Sequence, residues 1–394
     1  MWGVNGGRIG CDLIREGGRL AIEVPLSRKT NWVTAYLVVA SLCLTTLGLV
    51  MLFSAGAVRG AQDLLSKQTV WLLLSLGAGA YIAYVDLNLV RRFTPLLFGL
   101  CILGLVLTLL PGIGVKVNGA QRWIGLGPLR IQPSEFAKIG LVLLFAHYFA
   151  SNQRRITTFT QGFIIPSILL GLVAGLILLQ PDFGTAFLCG AVGATLMFQA
   201  GTSLRWLLPV ASLAVIGFSI LVYFDPVRIR RVTSFLNVEE NANDSSYQLW
   251  QGILAFGVGG LEGVGLGMGR QQMHFLPEAH TDFIFPVIGE ELGLVFTLGI
   301  LLCFLLLFGL VCWRLRQARS LYEYLLAMGA ILFVSLQAII NMGVVTGSMP
   351  TKGMSLPFIS YGGSNLIVTF VMIGLVINVL RRWDRPLNLN PREL

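Results

Sequence analysis

The stretch IFPVIGEELGLVFTLGILLCFLLLFGLVCW (284–313) decides the fold class. Apart from Glu290 and Glu291 it is uncharged, and roughly 20 mostly apolar residues suffice for a helix to cross a bilayer. Working outward from it, runs of the same character recur at about 33–58, 68–84, 93–110, 133–150, 161–180, 184–200, 205–224, 321–347 and 361–380. The pattern predicts an all-α polytopic membrane protein of about ten transmembrane helices. A long extracytoplasmic loop, about 225–284, separates the seventh from the eighth. Composition points the same way: of 394 residues, 55% are hydrophobic and 12% charged, against about 25% charged in an ordinary soluble domain. A soluble cytosolic enzyme and a disordered chain are both excluded.

The net charge of +9 raises the question of nucleic acid. Basic residues of membrane proteins collect on cytoplasmic loops, so the charge is read as a topology signal and no nucleic-acid partner is expected. Arg91-Arg92, Arg154-Arg155 and the cluster Arg314, Arg316, Arg319 all fall on the side that ten spans assign to both termini. The chain then divides into a cytoplasmic tail (1–32), a membrane domain (33–382) and a second cytoplasmic tail (383–394). Met1 to Asn31 is polar, so the first apolar run is expected to be a retained anchor rather than a cleaved signal. The six cysteines form no C-x-x-C pair, and neither disulfides nor zinc are indicated.

With both termini inside, the long connections 111–132, 225–283 and 348–360 face outward, where there is no ATP. No phosphate-binding G-x-x-x-x-G-K-[ST] loop is present. GVGGLEGVGLGMG (257–269) lacks the strand-then-helix context of a nucleotide site. It reads instead as a flexible or re-entrant element whose glycines permit close backbone approach.

Ionisable groups at membrane depth are energetically costly and mark either sites or internal pairs. In RWIGLGPLRIQPSEFAK (122–138), Glu135 and Lys138 share one helix face and would neutralise each other, with Trp123 in an interfacial aromatic belt. The functional alternative makes Arg122, Arg130 and Lys138 a cationic cluster for an anionic headgroup. In QPDFGTA (180–186), Asp182 is either a helix cap or an orienting carboxylate. LPEAHTDFIFPVIGEELG (276–293) holds Glu278, His280 and Asp282. A solvated loop end explains the first two, while Asp282 is wedged against Phe283-Ile284-Phe285, where partial desolvation favours a general base. Glu290 and Glu291 point about 100° apart on a helix and are not expected to share a face. TGSMPTKGMSLPFISYGGSN (346–365) reads as an irregular re-entrant loop or a packing turn. A helix opening at Gly363-Ser364 would offer free N–H groups to an anion. His147 and His274 have no partner at metal-ligand spacing.

These stretches, in this order, resemble the FtsW/RodA/SpoVE (SEDS) family of bacterial shape, elongation, division and sporulation proteins, the division branch more than the elongation branch. GAQRWI, QPSEFAK, QPDFGTA, LPEAHTDFIF, GEELG and LPFISYGGS carry the resemblance over about residues 33–382. Asn365 departs from it, standing where a small serine or threonine is common. The resemblance implies a ten-span peptidoglycan glycosyltransferase of the bacterial cytoplasmic membrane. It would polymerise lipid II from an undecaprenyl-pyrophosphate donor onto the 4-hydroxyl of a GlcNAc. A class B penicillin-binding protein and other division or elongation proteins would be its partners. Asp282 is then the catalytic residue. Arg122, Trp123, Arg130, Gln132, Ser134, Glu135, Lys138, Gln180, Asp182, Glu278, His280, Lys352, Ser360, Tyr361, Gly362, Gly363 and Ser364 are the substrate-binding candidates. No organic cofactor is expected; a divalent cation, Mg2+ or Mn2+, is compatible, with its ligands unassigned. Two rival readings are a lipid II flippase, which also uses charged and broken helices, and a non-catalytic division scaffold.

Overall fold

The computed structural model describes residues 13–16, 19–22, 31–59, 62–117, 119–126, 129–224, 229–230, 233, 235, 237–242, 246–271, 279–350 and 353–384. A short antiparallel pair, β1 (Leu13–Glu16) and β2 (Arg19–Ile22), lies in the N-terminal tail. The predicted apolar runs are all helical: α1 (Asn31–Arg59), α2 (Gln62–Tyr84), α3 (Leu87–Leu109), α4 (Pro133–Ser151), α5 (Ile165–Leu179), α6 (Phe183–Ala200) and α7 (Leu204–Tyr223). After the long connection come α8 (Tyr247–Gly259), α9 (Ile284–Leu315), α10 (Leu321–Val345) and α11 (Gly363–Asp384). Among the described residues, seven of these helices are long and apolar enough to cross a membrane; α2 and α4 are not among them. In α4 the buried Glu135 and Lys138 lower the apolar count.

Two connections hold more structure than the sequence suggests. The segment 111–132, read as a loop, folds into a three-stranded antiparallel sheet of β3 (Gly114–Val117), β4 (Ala120–Leu126) and β5 (Leu129–Ile131). It runs straight into α4, whose first residue is Pro133, where the missing N–H is no loss. The long 225–284 connection contains α8, too short to span a bilayer. Its buried stripe of Leu249, Gly252, Ala255 and Gly259 packs on α9.

The core is built around α10 and α11, the two most buried spans. Phe145 and Phe149 of α4, Leu188 and Val192 of α6, and Leu325, Leu326 and Ile331 of α10 are buried in it. Lipid supplies no hydrophobic drive between helices, so close backbone contact does the work. Where α2 meets α11, a Cβ at Gly79 would lie 2.8 Å from the Phe370 carbonyl oxygen, and one at Gly374 2.5 Å from the Gly79 oxygen.

α9 is broken at Gly293, whose φ of 79° and ψ of −176° no helix contains. Such a break frees carbonyls, and a buried free carbonyl must find a donor. Val264 N donates to Glu290 O (2.9 Å), Gly265 N to Glu291 O (3.0 Å), and Leu294 N to Gly260 O (2.9 Å). The glycine run 257–269 is therefore a clip on the broken helix, as its expected close approach requires. The Glu290 carboxylate accepts from Arg270 N (2.8 Å) and Gln271 N (3.2 Å), and that of Glu291 accepts from Ser54 Oγ at 2.9 Å. Glu290 thus binds the 270–271 loop and Glu291 binds α1, as expected of two glutamates that do not share a helix face. A Cβ at Gly269 would lie 3.0 Å from an oxygen of each, because a loop without side chains passes between two long ones.

Candidate active site

The N-terminal ends of α4, α6, α9 and α11 meet at the sheet end of the bundle, joined by direct bonds between their loops. There the turn before α9 and the segment 353–362 before α11 form one unit. Three consecutive carbonyls of the turn each accept a bond. Tyr361 N donates to His280 O at 2.9 Å, Ser360 Oγ to Thr281 O at 2.5 Å, and Asn341 Nδ2 to Asp282 O at 2.9 Å. Asn341, buried on α10, also donates to Met354 O. Asp282 itself is half-buried, and its Oδ2 lies so close over Gly353 that a Cβ there would collide with it.

The 353–362 segment is re-entrant. Leu356, Phe358, Ile359 and Ser360 are buried, which is what irregular backbone at membrane depth requires. Phe358 takes a left-handed φ of 66°, a conformation that costs a bulky residue about 1–3 kcal/mol. Packing fixes it: its ring lies 6.4 Å from that of Phe304 and 5.5 Å from that of Phe370.

The start of α11 is not the open anion cradle the glycines suggest. Gln68 Oε1 accepts from Gly362 N (3.3 Å) and its Nε2 donates to Ser360 O (3.5 Å). The Trp71 ring packs on Gly363, and Ser364 Oγ accepts from Gln132 N at 3.0 Å. Gln68 and Trp71 of α2 thus cover Gly362 and Gly363, and Gln132 at the start of α4 covers Ser364. What faces outward is Tyr361, edge-on to His280 with ring centroids 5.8 Å apart, and the exposed Arg130.

The remaining candidates form two further groups. Arg122 donates to Gln180 O (3.1 Å) and Pro181 O (2.5 Å) at the end of α5, and Trp123 pairs with Val115 in the sheet. Gln180 Nε2 donates to Leu105 O and Thr108 Oγ1. Asp182 caps α6 through Thr185 N (3.3 Å) and Thr185 Oγ1 (2.8 Å), and Gln132 Nε2 reaches both Asp182 and Ser134 Oγ. Lys138 turns into the bundle, 2.6 Å from Glu135 Oε2 and donating to Gln337 Oε1 at 2.7 Å. Gln337 Nε2 in turn donates to Asn365 Oδ1 and Ser355 O, each at 2.9 Å, so the departure at Asn365 is a member of the buried network. Lys138 is 2% exposed, whereas Arg122 is part-exposed and Arg130 and Lys116 are exposed. Glu278, His274 and Lys352 lie outside the described residues.

Gln68, Trp71, Gln337 and Asn341 carry no charge, so nothing sets them apart in the apolar runs as an ionisable group would. A buried amide in an apolar run carries the same signal in weaker form. Among the described residues, no three His, Cys, Asp or Glu side chains converge as a metal would need. A carboxylate on a tethered turn is equipment for accepting a proton.

This fold and site define a multi-pass membrane protein with a carboxylate-centred polar site at one end. The FtsW/RodA/SpoVE family model, described as "Cell cycle protein", matches residues 34–384, and the chain belongs to that family. One relative, "Probable peptidoglycan glycosyltransferase FtsW" of Trichlorobacter lovleyi, is 40% identical over 343 residues, covering 85% of this chain and 90% of its own. "Stage V sporulation protein E" of Bacillus subtilis is 38% identical over 356 residues, covering 88% and 96%. A chain from the solved structure "Structural coordination of polymerization and crosslinking by a peptidoglycan synthase complex" superposes with a TM-score of 0.76 at 28% identity. It covers 91% of this chain and 99% of that one.

Proposed function

We propose that the chain is a peptidoglycan glycosyltransferase. It polymerises lipid II into β-1,4 glycan strands at the outer face of the bacterial cytoplasmic membrane, with both termini in the cytoplasm. The observation that carries the reading is the half-buried Asp282 on a turn whose three carbonyls are tethered, one of them to Tyr361 N.

The acceptor is the 4-hydroxyl of a GlcNAc and the donor a glycan α-linked to undecaprenyl pyrophosphate. The hydroxyl oxygen attacks the anomeric carbon while its proton passes to the Asp282 carboxylate. The bond from that carbon to the pyrophosphate oxygen breaks, its electron pair leaving with the pyrophosphate. Inversion gives the β linkage, and no covalent enzyme intermediate is needed. Arg130 offsets the leaving charge. Lys352, next to Gly353 in sequence, is the second cation suited to that role, and Arg122 holds the neighbouring 180–181 corner in place. A divalent cation would be held by Asp282 together with the substrate's own phosphates, adding positive charge at the leaving group.

The partner is a class B penicillin-binding protein, which supplies transpeptidation, within the division or elongation machinery. The test is lipid II polymerisation by the purified pair, with the partner's transpeptidase blocked by a β-lactam. Long strands from wild type and none from Asp282→Asn support the reading. Equal strands from both would refute Asp282 as the base. No strands from either, with the partner bound, would return the weight to a flippase or scaffold.

A further inference from the structure

A second polar site lies at the end of the bundle opposite Asp282, where α4 runs out. A cavity of about 420 Å³ is lined by Ala150, Ser151, Asn152, Gln153, Arg154 and Arg155. Most arginines at this end have partners. Arg91 donates to Ser151 Oγ and stacks on Tyr322, Arg314 pairs with Asp384 and Arg382 with Glu323. Arg381 donates to Ala83 O and lies over Tyr84. Arg154 and Arg155 are exposed on the cavity wall, and their guanidinium groups have no ion-pair or hydrogen-bond partner among the described residues.

The surroundings select the ligand. Immediately after the cavity the chain passes Phe159, half exposed at 48%. Its ring lies 5.5 Å from that of Phe163 and 5.2 Å from that of Trp206. Thr202 Oγ1 donates to Gly162 O at 2.7 Å, which holds the start of α7 against this turn. Leu204 and Leu208 are exposed there, and Arg205 lies over the Trp206 ring at 4.8 Å. A pair of unpartnered guanidiniums thus sits beside an exposed aromatic and aliphatic face, where two spans turn at the membrane surface. A free anion would use only the first feature. A phospholipid uses both, phosphate on the arginines and acyl chain on the apolar face.

We infer that this cavity binds the phosphate of an anionic phospholipid in the leaflet opposite Asp282. The test uses full-length protein, wild type and Arg154→Gln/Arg155→Gln, reconstituted in bilayers of phosphatidylcholine with phosphatidylglycerol and then delipidated by detergent washing. Retained phospholipid per protein is measured by extraction and mass spectrometry. Wild type should retain about tenfold more phosphatidylglycerol than the variant, with phosphatidylcholine retained equally. An Arg154→Lys/Arg155→Lys variant should fall between, having charge without the bidentate fork. Equal phosphatidylglycerol retention by wild type and the glutamine variant overturns the inference. So does its displacement from wild type by millimolar inorganic phosphate, which would mark a site for the free anion. Unfolding temperature and lipid II turnover in pure phosphatidylcholine should match between the proteins, so that a folding defect is seen as such.

Discussion

The side-chain amide of Asn341 donates to the main-chain carbonyl of Asp282 at 2.9 Å, and the same nitrogen reaches Met354 O. One buried group on α10 thereby fixes both the turn that presents the carboxylate and the strand of chain beneath it. Asn341→Ala should lower kcat for lipid II polymerisation at least about tenfold with KM changed less than about twofold, the pattern of lost positioning. Removing the donor leaves the part-buried Asp282 carbonyl and the buried Met354 carbonyl unpaired, at about 1–3 kcal/mol of stability. Kinetics and a detergent unfolding curve on the same preparation separate the two effects.

Asp282→Asn removes the proton acceptor and leaves the tether untouched, because Asn341 binds the backbone. Polymerisation should vanish, while expression, unfolding temperature and co-purification with the penicillin-binding partner stay at wild-type levels. A glycan-strand gel and a pull-down on the same variant check this.

Gly353→Ala should act as a steric lever on the carboxylate, since its Cβ would occupy the space of Asp282 Oδ2. Turnover should drop by an order of magnitude or so, for a misplacement near 1 Å is worth about a hundredfold in a positioned site. Gly99→Ala, where nothing lies within 4 Å, is the control and should leave turnover unchanged.

Lys138→Met strands Glu135 in the bundle, 2.6 Å from where its partner was. Breaking a buried pair in this way costs about 3–5 kcal/mol. The double variant Glu135→Gln/Lys138→Met should recover most of that loss in thermal unfolding. Recovery of stability without recovery of turnover would add a catalytic role for the pair.

The helices were legible because each predicted span is one long apolar run, and α9 and α11 needed nothing more. Asp282 stood out because a carboxylate against Phe283-Ile284-Phe285 has no cheap explanation. The sheet 114–131 was not legible: its strands are three to seven residues long, and glycine and proline interrupt any alternation. α8 was missed for a similar reason, its 13 residues being too few for a span and too apolar for a loop. The tethers on His280, Thr281 and Asp282 are bonds to main-chain carbonyls, which no side-chain pattern encodes. The cover that Gln68 and Trp71 place on α11 depends on α2 lying alongside it, a fact of packing rather than of sequence order.

The break at Gly293 makes α9 two levers rather than one rod. The half beyond the break, where Val295, Leu298 and Leu302 are exposed, is not joined to the Asp282 end by continuous helical backbone. The 257–269 clip, bonded to the carbonyls of Glu290 and Glu291 before the break and to Leu294 N after it, is what holds the two segments in register.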